Sequence, residues 1–566
     1  MYMSLRTRLM VPVLLSALAV LAGCGGTSNP VVTPPPSGGF ANSNLSGTYV
    51  FSVTGTDTNN NFVTMVGIFT ADGKGNISTT GGVIDENGTA GVLAAEAPIT
   101  SGTYNVGSDG RPTGSSNAPT GLITLQAGAN TFTFDYVLTS SEHGLITEYD
   151  GLGSASGTLD LQTTVSQSEI NGQSFAFNLT GSSGFNSFLC GFNLGVSIPV
   201  PLTTVGAFTL DANGNISSGV QDFNNNCVWT GPPSLSLSGG SVTVGSPGQA
   251  SIASTINAST TTYTFDVFPI DATHLKFVEM DANAILVGDA FTQTSSVIPS
   301  GNNVFTLAGF DNNPSVGGPF TAAGILNTDG NGAITSSSVE DINDSFAASE
   351  ATGITGSYSA VSGRTQISLT NFVNGNNGAL CTACLFAAYP SSGGLQILEI
   401  DGFGTTNGVA YSQAASPSFA SGEGYAMNLS GVFLQNSGLG ATTNAEDDIA
   451  EFTNNNGTLG PGIIDFNGQG TLQFKSTFQA SYTADGTVPG RGTVAPSNNG
   501  YLLTTYTVDG TTTVAVSTDP SLVALGVLVK QNATAKSNAA ATHLSVLRAA
   551  KGAAMRAKRT LKRPTN

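Results

Sequence analysis

The sequence predicts an all-β protein of four tandem antiparallel units with eight strands each, and three observations support this. Gly accounts for 72 of 566 residues and only 9% of residues are charged, which is typical of exported β-structure with many turns. The hydrophobic share is still 39%, with 30 Phe, so the composition is not that of a disordered chain. One set of landmarks recurs four times in the same order, and such internal repetition indicates repeated folding units.

Each unit opens with a glycine before an aromatic strand, as in SGTYVFSV at 46–53. A strand ending in a short turn follows, for example VGIFTADGKGNI at 66–77 and VGAFTLDANGNI at 205–216. Every unit then has an Asp-x-Asn motif, and the four motifs are Asp85–Asn87, Asp222–Asn224, Asp341–Asn343 and Asp465–Asn467. Each unit ends near a glutamine: Gln162, Gln293, Gln413 and Gln531.

Unit one gives the strand count. Period-2 runs bounded by Gly, Asn and Asp predict strands at 48–56, 62–71, 77–86, 99–106, 119–127, 130–139, 143–150 and 154–162. The turns are too short for crossover helices, so neighbouring strands should pair antiparallel. An even strand number with the last strand near the first favours an up-and-down, calycin-like barrel. The alternative is a row of immunoglobulin-like sandwiches, which usually have seven strands.

The N-terminus carries an export signal. Arg6 and Arg8 precede an apolar run from Met10 to Ala22, too short to span a bilayer as a stable helix. The following Leu21-Ala22-Gly23-Cys24 resembles the lipobox of bacterial lipoproteins, which implies cleavage before Cys24, lipidation of its sulfur and, with Gly25 next, sorting to the outer membrane or cell surface. The predicted order is signal 1–24, Pro/Gly/Ser tether 25–44, β units 45–163, 170–293, 300–413 and 420–531, and a basic Ala-rich tail 532–566.

Charge is divided unevenly along the chain. The two ends, 1–24 and 531–566, hold ten of the 17 basic residues and no acidic one. Residues 25–530 therefore carry seven basic residues against 36 acidic ones, a net charge of −29. Such a body repels nucleic acid, so a nucleic-acid partner is not expected.

The cysteines agree with export. Besides Cys24 there are four, and their simplest pairing in an oxidising compartment is Cys190 with Cys227 and Cys381 with Cys384. A redox role for the CTAC motif at 381–384 would need a helix after it, and LFAAYP has no helical pattern. An i,i+3 disulfide requires a turn, because the same residues on an extended strand lie about 10 Å apart.

The segment DANGNISSGVQDFN at 211–224 resembles a calcium-binding loop only superficially. Ile216 stands where a helix–loop–helix site needs glycine, and no helical pattern flanks the loop. The sister copies share only Asp-x-x-Gly, for example Asp72 with Gly75, which is typical of a type I hairpin turn. No metal and no cofactor are expected.

The remaining candidates for a site are the repeated acids and amides. Glu148, Glu279 and Glu399 each precede an Asp at i+2, on one side of a strand and about 7 Å from it. If a barrel holds a ligand, the first candidates for its polar anchors are Asp85, Asn87, Glu148, Asp222, Asn224, Glu279, Asp341, Asn343 and Glu399. Ser517 replaces the glutamate in unit four, and His143 and His274 have no counterpart in units three and four, so no catalytic residue is assigned.

Three hypotheses for the function remain. The chain resembles the Gly/Thr/Asn-rich repeat lipoproteins of bacterial cell envelopes in its lipobox and in FTADGKGNI and FTLDANGNI, and this resemblance implies no known activity. The favoured hypothesis is a lipid-anchored, multivalent binding or adhesion protein for polysaccharide or another envelope polymer, with lipopolysaccharide a further partner through the basic tail. The alternatives are a structural spacer, marked by apolar side chains filling all four units, and a carboxylate hydrolase.

Overall fold

The structure is a computed structural model. It describes residues 39–89, 91–115, 118–183, 200–225, 234–245, 247–256, 259–281, 284–294, 298–313, 317–361, 363–375, 378–437 and 440–534. The signal and the lipobox cysteine, Cys190, Cys227 and most of the basic tail lie outside these residues. No helix within the described ranges is both long and apolar enough to cross a membrane.

Four closed antiparallel barrels follow one another along the chain, as the sequence predicts. Barrel 1 consists of β1 (Ser46–Asp57), β2 (Phe62–Asp72), β3 (Asn76–Ile77), β4 (Val83–Gly88), β5 (Gly91–Thr103), β8 (Ile123–Ala127), β9 (Asn130–Leu138), β10 (His143–Glu148) and β11 (Gly153–Leu161). The short β3 pairs with β2 and with β5, as β4 does, and so belongs to the same position in the sheet as β4; eight main strands remain. Pairing of β1 with both β2 and β11 closes the sheet. A separate two-stranded ribbon, β6 (Gly114–Ser115) and β7 (Ala118–Pro119), lies between β5 and β8 in the chain.

The other three barrels have eight strands each. Barrel 2 consists of β12 (Ser174–Ser183), β13 (Pro201–Leu210), β14 (Ile216–Asn224), β15 (Leu235–Val242), β16 (Gly248–Ile256), β17 (Ser259–Asp271), β18 (His274–Glu279) and β19 (Ala284–Thr292). Barrel 3 consists of β20 (Gly301–Asp311), β21 (Pro319–Thr328), β22 (Ala333–Asp344), β23 (Ala347–Val361), β24 (Arg364–Thr370), β25 (Cys384–Ser391), β26 (Gly394–Glu399) and β27 (Gly404–Ser412). Barrel 4 consists of β28 (Glu423–Ser437), β29 (Gly440–Asn455), β30 (Thr458–Gly468), β31 (Thr471–Ala484), β32 (Arg491–Asn498), β33 (Leu503–Thr507), β34 (Thr512–Ser517) and β35 (Leu522–Lys530).

The closed barrels rule out the sandwich alternative. In each barrel the eight main strands pair with their sequence neighbours and the last strand pairs with the first, for example β12 with β19. Closure removes unpaired sheet edges, which two packed open sheets would retain. Three strand positions in unit one need correction. The third strand, predicted at 77–86, is interrupted at 78–82 and gives β3 and β4, and the fifth begins at Ile123 rather than at 119. The fourth strand begins at Gly91 rather than at 99. A tight turn after Gly88 starts it early, and Gly91 has the positive φ of 106° that such a turn favours.

Apolar side chains fill all four interiors. The aromatic members of these cores include Phe51 and Phe134 in barrel 1, Phe177 in barrel 2, Phe386 in barrel 3 and Phe452 in barrel 4. Burying each such ring stabilises the fold by roughly 1.5–3 kcal/mol. Barrel 3 leaves a void of about 10 Å³, the space of one water-sized sphere, between apolar side chains that include Phe305 and Phe372.

A repeated glycine makes room for one core ring. Phe51 lies directly opposite Gly67 on β2, and a Cβ at Gly67 would come within 2.5 Å of the Phe51 ring. Phe177 with Gly206 and Phe305 with Gly324 repeat the arrangement. The glycine in VGIF and VGAF is therefore a packing requirement of the barrel.

Each barrel is also closed at its entry end by the segment before its first strand. The apolar residues that these segments add to the cores are Phe40 and Leu45 in barrel 1, Ile170 in barrel 2, Ile298 in barrel 3 and Phe419 in barrel 4. Ile170 ends the short helix α1 (Gln167–Ile170), whose first turn is capped because Glu169 Oε2 accepts a hydrogen bond from Ser166 N at 2.7 Å.

The DANGNISSGVQDFN segment forms a hairpin turn followed by a strand. The Asp211 carboxylate accepts hydrogen bonds from the backbone N–H groups of Asn213 (2.7 Å) and Asn215 (2.9 Å), and Gly214 has a positive φ of 82°. These hydrogen bonds, with that of the Asn215 side chain foremost, lower the pKa of Asp211. The carboxylate is thus occupied by its own turn. The described residues contain no cluster of His, Cys, Asp and Glu that could hold a metal ion.

Cys381 and Cys384 are joined by a disulfide, with their Cα atoms 5.8 Å apart. Cys381 pairs with Phe372 in an isolated bridge, and Cys384 begins β25. The chain bends between the two cysteines, which is the local turn that an i,i+3 disulfide requires.

Candidate functional site: the junctions between barrels

The Asp-x-Asn motif of each barrel lies against the next barrel. In all four copies the asparagine side chain donates hydrogen bonds to backbone carbonyls beside the turn between the seventh and eighth strands of its neighbour. The four contacts are Asn87 Nδ2 to Glu279 O (2.7 Å), Asn224 Nδ2 to Gly404 O (2.9 Å), Asn343 Nδ2 to Leu522 O (2.9 Å) and Asn467 Nδ2 to Glu148 O (2.7 Å).

These contacts form a closed circuit. Barrel 1 binds barrel 2 (the first junction), barrel 2 binds barrel 3 (the second junction), barrel 3 binds barrel 4 (the third junction), and barrel 4 binds barrel 1 (the closing junction). Each barrel presents its motif to one neighbour and its turn to the other. Such head-to-tail interfaces give a ring when their geometry closes, and here it closes within one chain.

The closing junction joins residues some 300 positions apart in the sequence. Asp447 on β29 accepts hydrogen bonds from Ser154 Oγ and Ser156 Oγ on β11, both at 2.6 Å. Gln469 Nε2 donates to Thr58 O at 3.1 Å. Unlike the other three junctions, this one has no linker between its two barrels, so noncovalent contacts alone hold it.

The glutamine that ends each repeat marks the same junctions. Gln162 Nε2 donates to Pro269 O of barrel 2 (2.6 Å), and Gln413 Nε2 donates to Thr507 O of barrel 4 (2.8 Å). Gln293 forms a bridge with Ser391 of barrel 3. Gln531 Nε2 donates to Leu138 O of barrel 1 at 2.9 Å, and Ala533 packs into the core of that barrel. The repeated glutamine therefore helps to close the circuit.

Arginine neutralises the motif aspartate at three of the four junctions. The pairs are Asp222 with Arg364 at the second junction, Asp341 with Arg491 at the third and Asp465 with Arg111 at the closing junction. Tyr389 Oη and Tyr506 Oη also donate to Asp222 and Asp341. A buried arginine–carboxylate pair is specific in geometry, and removing one partner leaves a buried uncompensated charge.

At the first junction the motif aspartate faces another acid. Asp85 is fully buried and lies within hydrogen-bonding range of Asp266 on β17, which is 6% exposed. The backbone N–H of Glu96 donates to Asp85 Oδ1. Burial is the main cause that raises the pKa of Asp85 to about 7 and that of Asp266 to about 6. The hydrogen bond from Glu96 N–H opposes the rise at Asp85, and the negative charges of neighbouring acids add to it at both groups.

A second buried network crosses the first junction around Lys276. Its Nζ lies 3.2 Å from Asp160 Oδ2 of barrel 1 and 3.2 Å from Asp289 Oδ1 of its own barrel. His143 Nδ1 contacts Asp160 at 2.7 Å, and His274 Nε2 contacts Asp289 at 2.8 Å. All five side chains are at most 2% exposed. The two histidines of equivalent sequence position are thus parts of one structural network.

The Glu-x-Asp pairs lie beside the carbonyl groups that bind the Asp-x-Asn asparagine of the neighbouring barrel. Burial and the adjacent aspartate raise the pKa of Glu148 and of Glu399 well above the usual range, and that of Glu279 to about 11. Glu399 is fully buried and accepts hydrogen bonds from Asn374 Nδ2 and Gly404 N. These glutamates thus act as hydrogen-bonding partners within the junctions.

The structure thus brings together all nine acids and amides that the sequence singles out, but at four separate junctions. Asn87 and Glu279 meet directly, since Asn87 Nδ2 donates to Glu279 Oε2 at 2.9 Å. Their partners are residues of the adjacent barrel. Four basic residues that the sequence did not single out also lie at the junctions: Arg111, Arg364, Arg491 and Lys276. A usable signal existed: of the seven basic residues in 25–530, these four and Lys475, which donates to Gly114 O of barrel 1, lie at junctions.

Comparison with known proteins gives distant likenesses only. No protein-family model and no curated protein match the chain. Intact Ap-TbpB, with its N and C lobes, is 9% identical, covers 70% of this chain and 86% of its own, and has a TM-score of 0.17. A double mutant of transferrin binding protein B from Haemophilus parasuis Hp5 is 8% identical over 70% and 85% of the two chains, also with a TM-score of 0.17. Isotype 1 transferrin binding protein B from serogroup B Neisseria meningitidis is 9% identical over 72% and 84%, with the same TM-score. Scores this low carry no argument about the circuit, a ligand or a partner.

Proposed function

We propose that this protein is a lipid-anchored, non-catalytic binding platform of the bacterial cell surface, attached through Cys24. The observation that carries the proposal is the closed circuit of four junctions, which makes four barrels into one rigid body. The lipobox-like LAGC sequence supports the attachment, and the Pro/Gly/Ser segment 25–44 supplies a tether. The platform binds with its exterior, because apolar side chains occupy the interiors.

The partner class follows from the exposed strands. β31 carries exposed or partly exposed polar side chains at Thr471, Gln473, Gln479, Ser481 and Thr483. β23 has a similar Ser- and Thr-rich exposed face, and the body is strongly acidic. Hydroxyl and amide groups on an acidic surface suit a neutral polysaccharide better than an anionic polymer. Equivalent surfaces on one rigid body raise avidity for a repeating polymer without any new contact.

A structural spacer without a specific ligand is the second candidate. The observation that favours it is that apolar side chains fill all four interiors. A spacer would use the same rigidity to hold envelope layers apart. The two candidates differ in whether the exterior binds a polymer.

Binding to immobilised neutral glycans and cell-wall polymers separates the candidates. Residues 24–566, which lack the signal and carry Cys24→Ser, are compared with the same chain bearing Asn467→Ala and Arg111→Ala to open the closing junction. The platform predicts polymer binding that weakens when the circuit opens, while binding to a single short oligosaccharide stays the same. If the folded chain binds none of the polymers, the platform proposal is wrong and the structural spacer is the remaining candidate.

A hydrolase at the Glu-x-Asp pairs is tested with the same material. The proposal predicts that Glu148→Gln and Glu279→Gln leave polymer binding unchanged and that the unmodified chain releases no product from the polymers. Release of reducing ends that both substitutions abolish would overturn the non-catalytic part of the proposal.

A further inference from the structure

The first junction differs from the other three in the charge at its centre. Asp85 and Asp266 face one another across the boundary between barrels 1 and 2. Asp85 Oδ2 is buried and receives no hydrogen bond from an N–H or hydroxyl donor among the described residues. Two ionised carboxylates cannot remain in such contact without strong repulsion, so the pair needs a cation or a proton.

Neither barrel has a basic side chain to spare for this pair. Lys276 is the one basic residue of barrel 2, and it is held by Asp160 and Asp289. Barrel 1 contains Lys74, on the exposed turn after β2, and Arg111, which pairs with Asp465 at the closing junction. Within the described part of the chain, no ion pair reaches Asp85 or Asp266.

We propose that the first junction is a proton-locked joint, in which Asp85 and Asp266 share one proton and loss of that proton loosens barrel 1 from barrel 2. The protonated carboxyl donates a hydrogen bond to the ionised one, in the place that arginine occupies at the sister junctions. A proton serves here better than a metal ion, because the described residues offer no group of three ligating side chains.

The other charged groups at this junction set the direction of the response. Glu96, on β5, adds a third negative charge near the pair. Glu279 contacts Asn87 on the same boundary, and Asp281 lies beside Glu279. The network of Lys276, Asp160, Asp289, His143 and His274 lies between β10, β11, β18 and β19. The immediate neighbours of the pair are therefore acidic.

The pKa values place the response near neutral pH. Both are raised, so the folded junction retains a proton that the unfolded chain releases at lower pH. The stabilising effect of the pair is complete below about pH 4 and is lost as the pH rises through about 6 to 7. At the closing junction burial also raises the pKa of Asp135, well above the usual range, but Arg111 compensates the remaining carboxylate of Asp465. That junction should not respond near neutral pH.

Hydrogen–deuterium exchange of the full chain, corrected for the intrinsic pH dependence, measures each junction separately. We expect amide exchange in 83–88 and 279–285 to rise about tenfold from pH 6 to pH 8, the change expected for release of one proton with a pKa near 7. Exchange in 463–468 and 148–154, at the closing junction, should stay constant and is the internal control.

Three variants show which residues cause the response. Asp266→Asn keeps the shape and supplies a permanent hydrogen-bond donor, so it should abolish the pH dependence. Gln249→Arg places a cation opposite Asp266 on the neighbouring strand and should also slow exchange at pH 8. His143→Gln with His274→Gln should leave the step in place. Equal exchange at pH 6 and pH 8, a step that survives Asp266→Asn, a step lost in the histidine variant, or slowing at pH 8 by added Ca²⁺ that chelation reverses would each overturn the proposal.

Discussion

The closing junction and the first junction use the same Asp-x-Asn motif, but they differ in whether a linker joins the barrels and in which residue meets the aspartate. At the closing junction Asn467 and Asp465 hold two barrels that no linker joins, and Arg111 compensates the buried aspartate. At the first junction Asn87 and Asp85 hold two barrels that α1 and its flanking residues already connect, and the aspartate has an acid for its partner. The first junction, where a linker joins the two barrels, tolerates two facing acids. The closing junction has no linker, and there an arginine compensates the buried aspartate.

The largest expected effect comes from removing the cation at the closing junction. Arg111→Ala leaves Asp465 and Asp135 buried without compensation and should lower the free energy of unfolding by about 3–5 kcal/mol, measured by urea denaturation. The double variant Arg111→Met with Asp465→Asn should recover much of the loss, because it removes the stranded charge. A small effect of Arg111→Ala would mean that the closing junction is open in solution.

The corresponding change at the first junction is Lys276→Met. Lys276 holds Asp160 and Asp289 together. Burial raises the pKa of Asp160, but the positive charge of Lys276, with a contribution from His143, outweighs it and keeps that pKa below the usual range. Removing the ammonium should cost about 3 kcal/mol of unfolding free energy. Far-UV circular dichroism should show four intact barrels at low denaturant. Stability equal to that of the unmodified chain would show that the network contributes nothing.

Substituting the motif asparagine at each junction allows a direct comparison of the closing and first junctions. Asn467→Ala and Asn87→Ala each remove hydrogen bonds to buried carbonyls, so each should cost about 2 kcal/mol. Their effect on compactness should differ, because only the closing junction lacks a linker. Small-angle scattering should show a larger radius of gyration for Asn467→Ala than for Asn87→Ala. The same expansion in both would contradict this reading.

The smallest expected effect on the free energy of unfolding comes from breaking a surface ion pair. Lys530 Nζ and Glu423 Oε1 are 2.8 Å apart within barrel 4, and both side chains are more than a quarter exposed. Lys530→Ala should change stability by about 0.5 kcal/mol or less, because solvent screens the pair. A loss as large as that of Arg111→Ala would mean that burial does not control the effect.

The barrels could be predicted from sequence because their signals are local. Alternation, turn residues and repeated order give eight strands per unit. In unit one the break at 78–82 and the starts of two strands, at Gly91 and Ile123, were misplaced. The circuit could not be predicted in this way. Asn87 meets its partner Glu279 192 positions away, so the Asp-x-Asn motif appears in sequence as a repeated polar group without a partner.

The charged partners were harder still to find. Arg364 and Arg491 begin strands, whereas Arg111 lies in a loop, so they occupy no common position in the repeats. His143 and His274 do occupy equivalent positions, but their roles depend on Lys276, which occurs in barrel 2 alone. Residues that repeat were visible in the sequence, and residues unique to one junction were not.

Cross-linking across the closing junction tests the circuit most directly. Thr58→Cys and Gln469→Cys, in a chain whose other cysteines are replaced by serine, place two thiols where Gln469 Nε2 now lies 3.1 Å from Thr58 O. A short bismaleimide at low protein concentration should link barrels 1 and 4 within one chain in nearly every molecule, and Asn467→Ala with Arg111→Ala should reduce the yield. Absence of the intramolecular link, or links only between separate molecules, would contradict the closed circuit.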